Sequence, residues 1–549
     1  MRRLKQLAAV LAGIGLLVWL SFDQILLRLP GILDGIRHPT GLNQQIDWSQ
    51  GPATAERPPD QRPPNIIVIV ADDLGWNDLT FAGGGVAGGR MPTPNIDSIA
   101  NDGVRFMSGY SGSGTCAPSR AAIMSGRYPT RFGFEFTPTP KGMGYLVSRF
   151  YSRPGILRPP HTFPERGEEM EFQRMGMPPT EITLAELLRG VGYHTVHIGK
   201  WHLGDVDGMA AHEHGFDESL VLASGKYLPD DDPDVVNSHQ EFDPIDNFLW
   251  PTMKYAASFN GSPRFEPRGY LTNYYSEEAV KVIQANRNRP FFLYLAHWAP
   301  HTPLQAWKPD YDALAHIEDP RLRVYAAMIR ALDRGVGQVL EALRANGLEQ
   351  NTMVIFTSDN GGAGYLGLDG INDPFRGWKI TFFEGGIHVP FFIKWPARVG
   401  PRTSYMQPVH HFDIYATAAA AAGASLPSDR KMDGVDLVPF VNGAPGVPHR
   451  NLFWRSGHYQ VVLADGWKLQ VAERPPKKWL FHIAEDPTEQ HNLAGQRINK
   501  VGELETLLTF QNIGLLSPAW PSLAELPVSI DKTLAEPESE DDEYIYWPN

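Results

Sequence analysis

The stretch NIIVIVADD, residues 65–73, sets six apolar residues in a row and then stops on two carboxylates. A strand with one wet face alternates apolar with polar. An unbroken run of this length buries both faces, as parallel strands sandwiched between helices do. A second run, TMVIFTSDNGG at 352–362, also ends in an acid and a turn. Helical periodicity lies between them, in TEITLAELLRGVGY, SEEAVKVIQANR and VYAAMIRALDRGVGQVLEALRANG, the last closing on glycine. The alternation predicts an α/β fold, a large and mostly parallel sheet flanked by helices, with its site beyond the carboxyl ends of the strands. Two strand ends then bring Asp72, Asp73, Asp359 and Asn360 to one edge. Four oxygen-bearing side chains there suit a hard cation, Ca²⁺ or Mg²⁺, and no cysteine–histidine cluster points to zinc.

Outward from these strands the chain divides. Residues 1–43 begin with the basic MRRLK and the apolar run Leu7–Leu20, an export signal or a membrane anchor. Either form places the folded part outside the cytoplasm, in the periplasm or extracellular space. Residues 44–64 are polar and proline-rich, which suits an extended linker. The main domain spans 65–440. Near 441 the pattern shifts to GHYQVVLADGWKLQVAE, a hairpin turning at Asp465-Gly466, so 441–530 reads as a smaller C-terminal α+β domain. The acidic tail 531–549 reads as a solvated extension, unless its aromatics dock on the body. With 42% apolar and 20% charged residues the composition is globular. The net charge of −13 argues against a nucleic-acid partner.

The only cysteine, Cys116, stands in SGTCAPSRAAIMSGR, residues 113–127. Pro118 fits the first turn of a helix, so Cys116 is expected at the helix N-terminus, where backbone N–H groups favour an anion. A small buried residue or a catalytic thiolate would also fit this place. CAPSRAAIMSGR, however, resembles along its length the sulfatase signature C-x-P-S-R followed by small and apolar helix residues and G-R. The resemblance implies an alkaline phosphatase-like fold and a cysteine oxidised during biosynthesis to formylglycine by a maturation enzyme that reads Pro118 and Arg120. It carries over Asp72, Asp73, Asp359 and Asn360 as metal ligands with residue 116 a further one, and it favours Ca²⁺ over Mg²⁺.

Other segments are similar to family motifs in the same order. GKWHLG, with Lys200 and His202 two apart on a strand end, implies a sulfate-binding lysine and a histidine bonded to the formylglycine hydroxyl. In PFFLYLAHWAPHTPL the resemblance gives His301 to the ester oxygen and leaves His297 structural or as a pocket wall. FRGWKITFFEGG implies a second lysine, Lys379, and His388 stands where the family often has arginine. GFDE at 215, HFDIYATAAAAAGA at 411 and LFHIAEDPTEQHNLA at 480 extend the likeness over 65–494. The implied reaction is hydrolysis of a sulfate monoester, of an aryl or a carbohydrate alcohol. One hydroxyl of the hydrated aldehyde attacks sulfur with help from Asp359. Lys200, Lys379 and Arg120 stabilise charge, and His301 protonates the leaving oxygen. The second hydroxyl, with His202 as base, then expels sulfate. The rival readings are a phosphodiesterase or phosphonate monoester hydrolase of the same superfamily, a non-catalytic anion-binding member, and a cysteine hydrolase. Two long segments, 132–179 and 225–268, are candidates for the rim that selects the leaving group.

Overall fold

The two apolar runs pair side by side in parallel, Asn65–Ala71 against Thr352–Ser358, with Ala71 opposite Ser358. All seven residues of each strand are buried. The pleat divides them: Ile67, Ile69, Val354 and Phe356 enter one core, and Ile66, Val68, Val70, Met353 and Ile355 the other. The computed structural model describes residues 6, 22–140, 156–163 and 170–549. It places this pair near the middle of a nine-stranded sheet, most of whose neighbouring strands run parallel. The long helices Leu271–Ala285 and Pro320–Ala345 cover one face. Cys116–Ser125, Leu184–Gly190 and Asp413–Ala422 cover the other. The run Leu7–Leu20 and parts of the 132–179 segment lie outside the described residues. Among the described residues no helix is long and apolar enough to cross a membrane.

The C-terminal region adds a four-stranded antiparallel sheet, Asn451–Ser456, Tyr459–Ala464, Trp467–Glu473 and Pro476–His482. Its expected hairpin turns at Asp465 and Gly466, both at positive φ. One face packs on the helix Ile498–Asn512 through Val462, Leu469, Leu480, Leu504 and Leu508. The other face, with Trp454, Tyr459, Val461, Trp479 and Phe481, merges into the main core.

One reading of a polar segment is corrected, and of the two open for the acidic tail the docked one holds. The acidic tail does not hang in solvent: Tyr544–Pro548 is a strand paired with Ala524–Ser529, and Ile545, Tyr546 and Trp547 are buried. The 44–64 segment is not a free linker either. Ile46 and Trp48 are buried, and the Trp48 indole N–H donates to Glu278 at 2.7 Å. In both cases two or three apolar side chains suffice to dock a stretch whose average composition is hydrophilic.

The main body and the C-terminal sheet also share a buried ionic cluster. Lys468 lies 2.7 Å from Glu384 and 3.0 Å from Glu489, all three out of water. Glu489 accepts the Glu384 backbone N–H at 2.6 Å and the Gln470 amide at 3.0 Å. Burial alone would push the Glu384 carboxyl up, yet Lys468 and His388 hold it at about 2. Burial, aided by Glu384 and opposed by Lys468, pushes Glu489 up to about 7. His388 bridges Glu384 and the Met107 carbonyl, at 2.8 and 3.0 Å, and serves this cluster. Lys468→Met would strand two buried carboxylates. The expected loss of stability is about 3–5 kcal/mol, read from urea unfolding of wild type and variant.

Candidate active site

The site grows from the register of the two central strands. Because Ala71 faces Ser358, the next residues, Asp72 and Asp359, emerge side by side, followed by Asp73 and Asn360. The Asp73 backbone N–H donates to Asp359 Oδ1 at 3.1 Å, and the Leu74 N–H donates to the Ser358 hydroxyl at 2.9 Å. Asn360 Nδ2 donates to Asp73 Oδ1 at 2.8 Å.

Cys116 meets this edge as the first residue of the helix Cys116–Ser125, which ends on the left-handed Gly126. Every residue of the helix is buried, and small side chains such as Ala117, Ser119, Ala121 and Ala122 let it sink into the body. Its Sγ lies 3.5 Å from Asp72 and 3.7 Å from Asp73. Burial, with Asp359 adding, pushes the thiol well above its ordinary value. A thiolate nucleophile is disfavoured here, which weighs against the cysteine-hydrolase reading.

Three cations meet the acids, one from the same helix and two from other places. Arg120, one helical turn on from Cys116, donates Nε and Nη2 to Asp359 at 3.0 and 2.8 Å and lies 3.2 Å from Asp72. Lys200 reaches Asp72 at 2.8 Å. Lys379 reaches Asp73 at 2.6 Å and donates to the Tyr365 hydroxyl at 3.0 Å. Against the push of burial, Lys379, His301 and Lys200 pull Asp73 well below the usual carboxylate range. Asp359, pressed by burial and by Asp72, is raised.

His202 and His301 complete the pocket. His301 Nε2 lies 3.6 Å from Asp73 Oδ2, its ring stacked on Trp298 at 3.9 Å between centroids. Burial pushes His301 down to about 3 against the opposing pull of Asp73, and burial with Lys200 and Arg120 pushes His202 well down, so the His202 ring is neutral at pH 7. The strand-end geometry expected for Lys200 and His202 does not hold. The strand stops at Gly199, where a Cβ would meet the Ala296 carbonyl at 1.9 Å, and His202 sits at φ 63°. His202 faces the same cations through a turn instead. His297 stays out of the site: it is buried, with neither ring nitrogen partnered among the described residues.

The residues suit a hard dication. Asp72, Asp73, Cys116 and His301 offer ligand atoms within 4.8 Å of one another. Asn360 Oδ1 is buried with no hydrogen-bond partner, the condition of an amide oxygen that a cation would satisfy. Tyr365, which donates to Asp73 at 2.8 Å, and Trp298, with Lys200 Nζ 4.7 Å from its ring, also belong to the wall. No motif singles these two out. Their sequence neighbours, the glycine turn after Asn360 and the loop to His301, are the nearest signals. The candidate rim 225–268 does adjoin the site: its strand Val235–Ser238 pairs with Leu304–Trp307, just after His301.

A helix-borne residue 116 among carboxylates, lysines and histidines at the strand ends defines a hydrolase of anionic esters. The sulfatase family profile matches residues 64–424, and the chain belongs to that family. Mouse N-acetylgalactosamine-6-sulfatase is 33% identical, over 75% of this chain and 72% of its own. The uncharacterized sulfatase YdeN of Escherichia coli K12 is 31% identical, over 71% and 68%. The crystal structure of Ps i-CgsB in complex with k-i-k-neocarrahexaose superposes with a TM-score of 0.69 at 30% identity, covering 84% of this chain and 95% of that one. The enzyme is a sulfuric ester hydrolase. The phosphoester and silent-binder readings are not favoured.

The buried, unpartnered His297 gives a pH test. Burial lowers it from 6.5 to about 3, so between these values the unfolded chain binds a proton that the folded chain does not. Its contribution to stability is therefore lost as pH falls from 6.5 toward 3. His297→Leu should unfold near the wild-type urea midpoint at pH 7.5 and gain on wild type at pH 5.

Proposed function

We propose that this enzyme removes sulfate from a sulfated carbohydrate, using formylglycine made from Cys116 and a Ca²⁺ held by Asp72, Asp73, Asp359, Asn360 and residue 116. The observation that carries the reading is the position of Cys116. It is the first residue of a buried helix and touches two of the carboxylates, with Lys200 and Lys379 paired to the same two. The carbohydrate reading draws support from the hexosamine sulfatase and the carrageenan-oligosaccharide complex among its relatives.

When bound, the cation and the hydrated aldehyde supply a Lewis acid and a hydroxyl nucleophile at this edge. The chain's residues do the rest. Lys200 and Lys379 offer their ammonium groups to the sulfate oxygens. Arg120 fixes Asp359, which takes the nucleophile's proton. His301 donates Nδ1–H to the Thr302 carbonyl and turns Nε2 to the leaving oxygen, which takes its proton from the doubly protonated ring or from the Lys379 ammonium beside it. His202, kept neutral, is the base for the second hydroxyl. The helix N-terminus adds partial positive charge where the sulfate binds.

Cys116 is 3% exposed and Arg120 0%, so a maturation enzyme cannot read CAPSR on the folded chain. Conversion therefore precedes folding, and the basic MRRLK with the apolar run Leu7–Leu20 supports a folded enzyme that works in the periplasm or outside the cell. Mass spectrometry of the peptide spanning residue 116 should show the aldehyde when the chain is made with a maturation enzyme, and an unchanged thiol when folded protein is treated afterwards. A thiol in both samples would overturn the formylglycine assignment. Cys116→Ser should abolish multiple turnover. On matched substrates, sulfated galactan oligosaccharides should be hydrolysed with a higher kcat/KM than aryl sulfate, and phosphate diesters most slowly. Chelation should remove activity, and Ca²⁺ should restore it better than Mg²⁺.

A further inference from the structure

The helix Phe22–Arg37 has a feature that the hydrolase does not need. Ile25, Leu29, Ile32, Leu33 and Ile36 are 43%, 44%, 56%, 41% and 72% exposed. At about 100° per residue they fall within one arc about 100° wide. Single exposed leucines are common, but five branched apolar side chains aligned on one helix are not. The opposite side is pinned to the body. Leu27 packs with Phe248 and Leu249 of the helix Pro244–Thr252. Gly31 passes so close that a Cβ would meet the Pro251 carbonyl at 2.4 Å. Asp34 pairs with Arg264 at 2.5 Å. The apolar arc therefore points away from the protein in a fixed direction.

We propose that this face lies in the interfacial layer of an anionic lipid bilayer. Three observations choose lipid over a protein partner. The chain that leads into the helix carries MRRLK and the apolar run 7–20, so the face is continuous in sequence with a segment of membrane character. Arg28 and Arg37 both lie exposed, about 40° outside the two borders of the arc, where cationic heads meet phosphates while their stems stay with the apolar surface. The only carboxylate of residues 25–37, Asp34, is on the opposite side and paired, although the chain as a whole carries −13. The pinned side also has a functional address. Asp246, on the helix that Leu27 and Gly31 contact, accepts the hydroxyl of Thr302, next to His301, at 2.8 Å. The lipid-facing helix and the site wall are thus joined by one rigid element.

The test uses the full chain in vesicles of phosphatidylcholine and phosphatidylglycerol, with an environment-sensitive fluorophore on Ile36→Cys or, as control, on Leu516→Cys, an exposed site of the C-terminal region. Wild-type chain carried through the labelling gives the background from buried Cys116. The expected result is blue-shifted emission at position 36, quenched by lipid spin-labelled near the headgroups, with neither change at 516. Replacing phosphatidylglycerol by phosphatidylcholine should weaken the quenching at 36. Blue emission without lipid quenching would mean that residues 1–21 or a second copy cover the face, and overturns the proposal. Water-like emission without quenching overturns it as well.

Discussion

Three carboxylates, Asp72, Asp73 and Asp359, are packed out of water within a few ångströms because two parallel strands end in register. Like charges so placed repel by about 4 kcal/mol per pair at 4 Å, even with an effective dielectric of 20. The sheet cannot relieve this itself, since the register that buries its central strands also brings the acids together. Relief comes from Arg120, Lys200 and Lys379, each supplied by a different element and each in contact with one or two of the acids. The protein groups sum to zero. A dication added to this cradle leaves it positive, and a positive, water-poor pocket walled by lysines is what a sulfate monoanion requires. The helix Cys116–Ser125, the turn after Gly199 and the loop around Lys379 can be seen as three routes for bringing counter-charge to one edge.

Much of this is legible in the sequence because it rests on local patterns. An unbroken apolar run followed by acids specifies a doubly buried strand and the polarity of its end, whatever the rest of the chain does. The CAPSR segment likewise carries both its helix and its chemistry in twelve residues. What escapes is whatever depends on a few contacts across long sequence distances. Trp48 reaches Glu278, and Trp547 joins the main core from the last strand, yet both sit in stretches whose mean polarity says solvent. The conformation of His202 escapes for another reason. It follows the end of the strand at Gly199, where a Cβ would meet the Ala296 carbonyl of the neighbouring strand, a closeness that spacing along one strand does not report. Tyr365 is invisible for the same cause: only the folded loop brings its hydroxyl to Asp73.

Of the three cations, Lys379 is the hardest to place, and its support explains why the small C-terminal sheet is fused to the catalytic core. The lysine precedes Ile380, a β-branched residue held at φ 85°, whose N–H donates to the Gly114 carbonyl at 2.6 Å beside the helix that begins at Cys116. Such a conformation costs on the order of 1–3 kcal/mol and persists only where surroundings over-determine it. Here they do. The Trp378 indole donates to the Ser529 carbonyl, and the Phe382 N–H to the Tyr459 hydroxyl. Arg376 grips Asp531 and Glu543, and Glu489 takes the Glu384 N–H while Lys468 pairs with both glutamates. All these partners except Glu384 come from the C-terminal region, and two of them, Asp531 and Glu543, from the acidic tail. The acidic tail and the C-terminal sheet are therefore parts of the apparatus that holds one ammonium group against Asp73. The catalytic edge is rigid to the extent that this remote clamp stays closed.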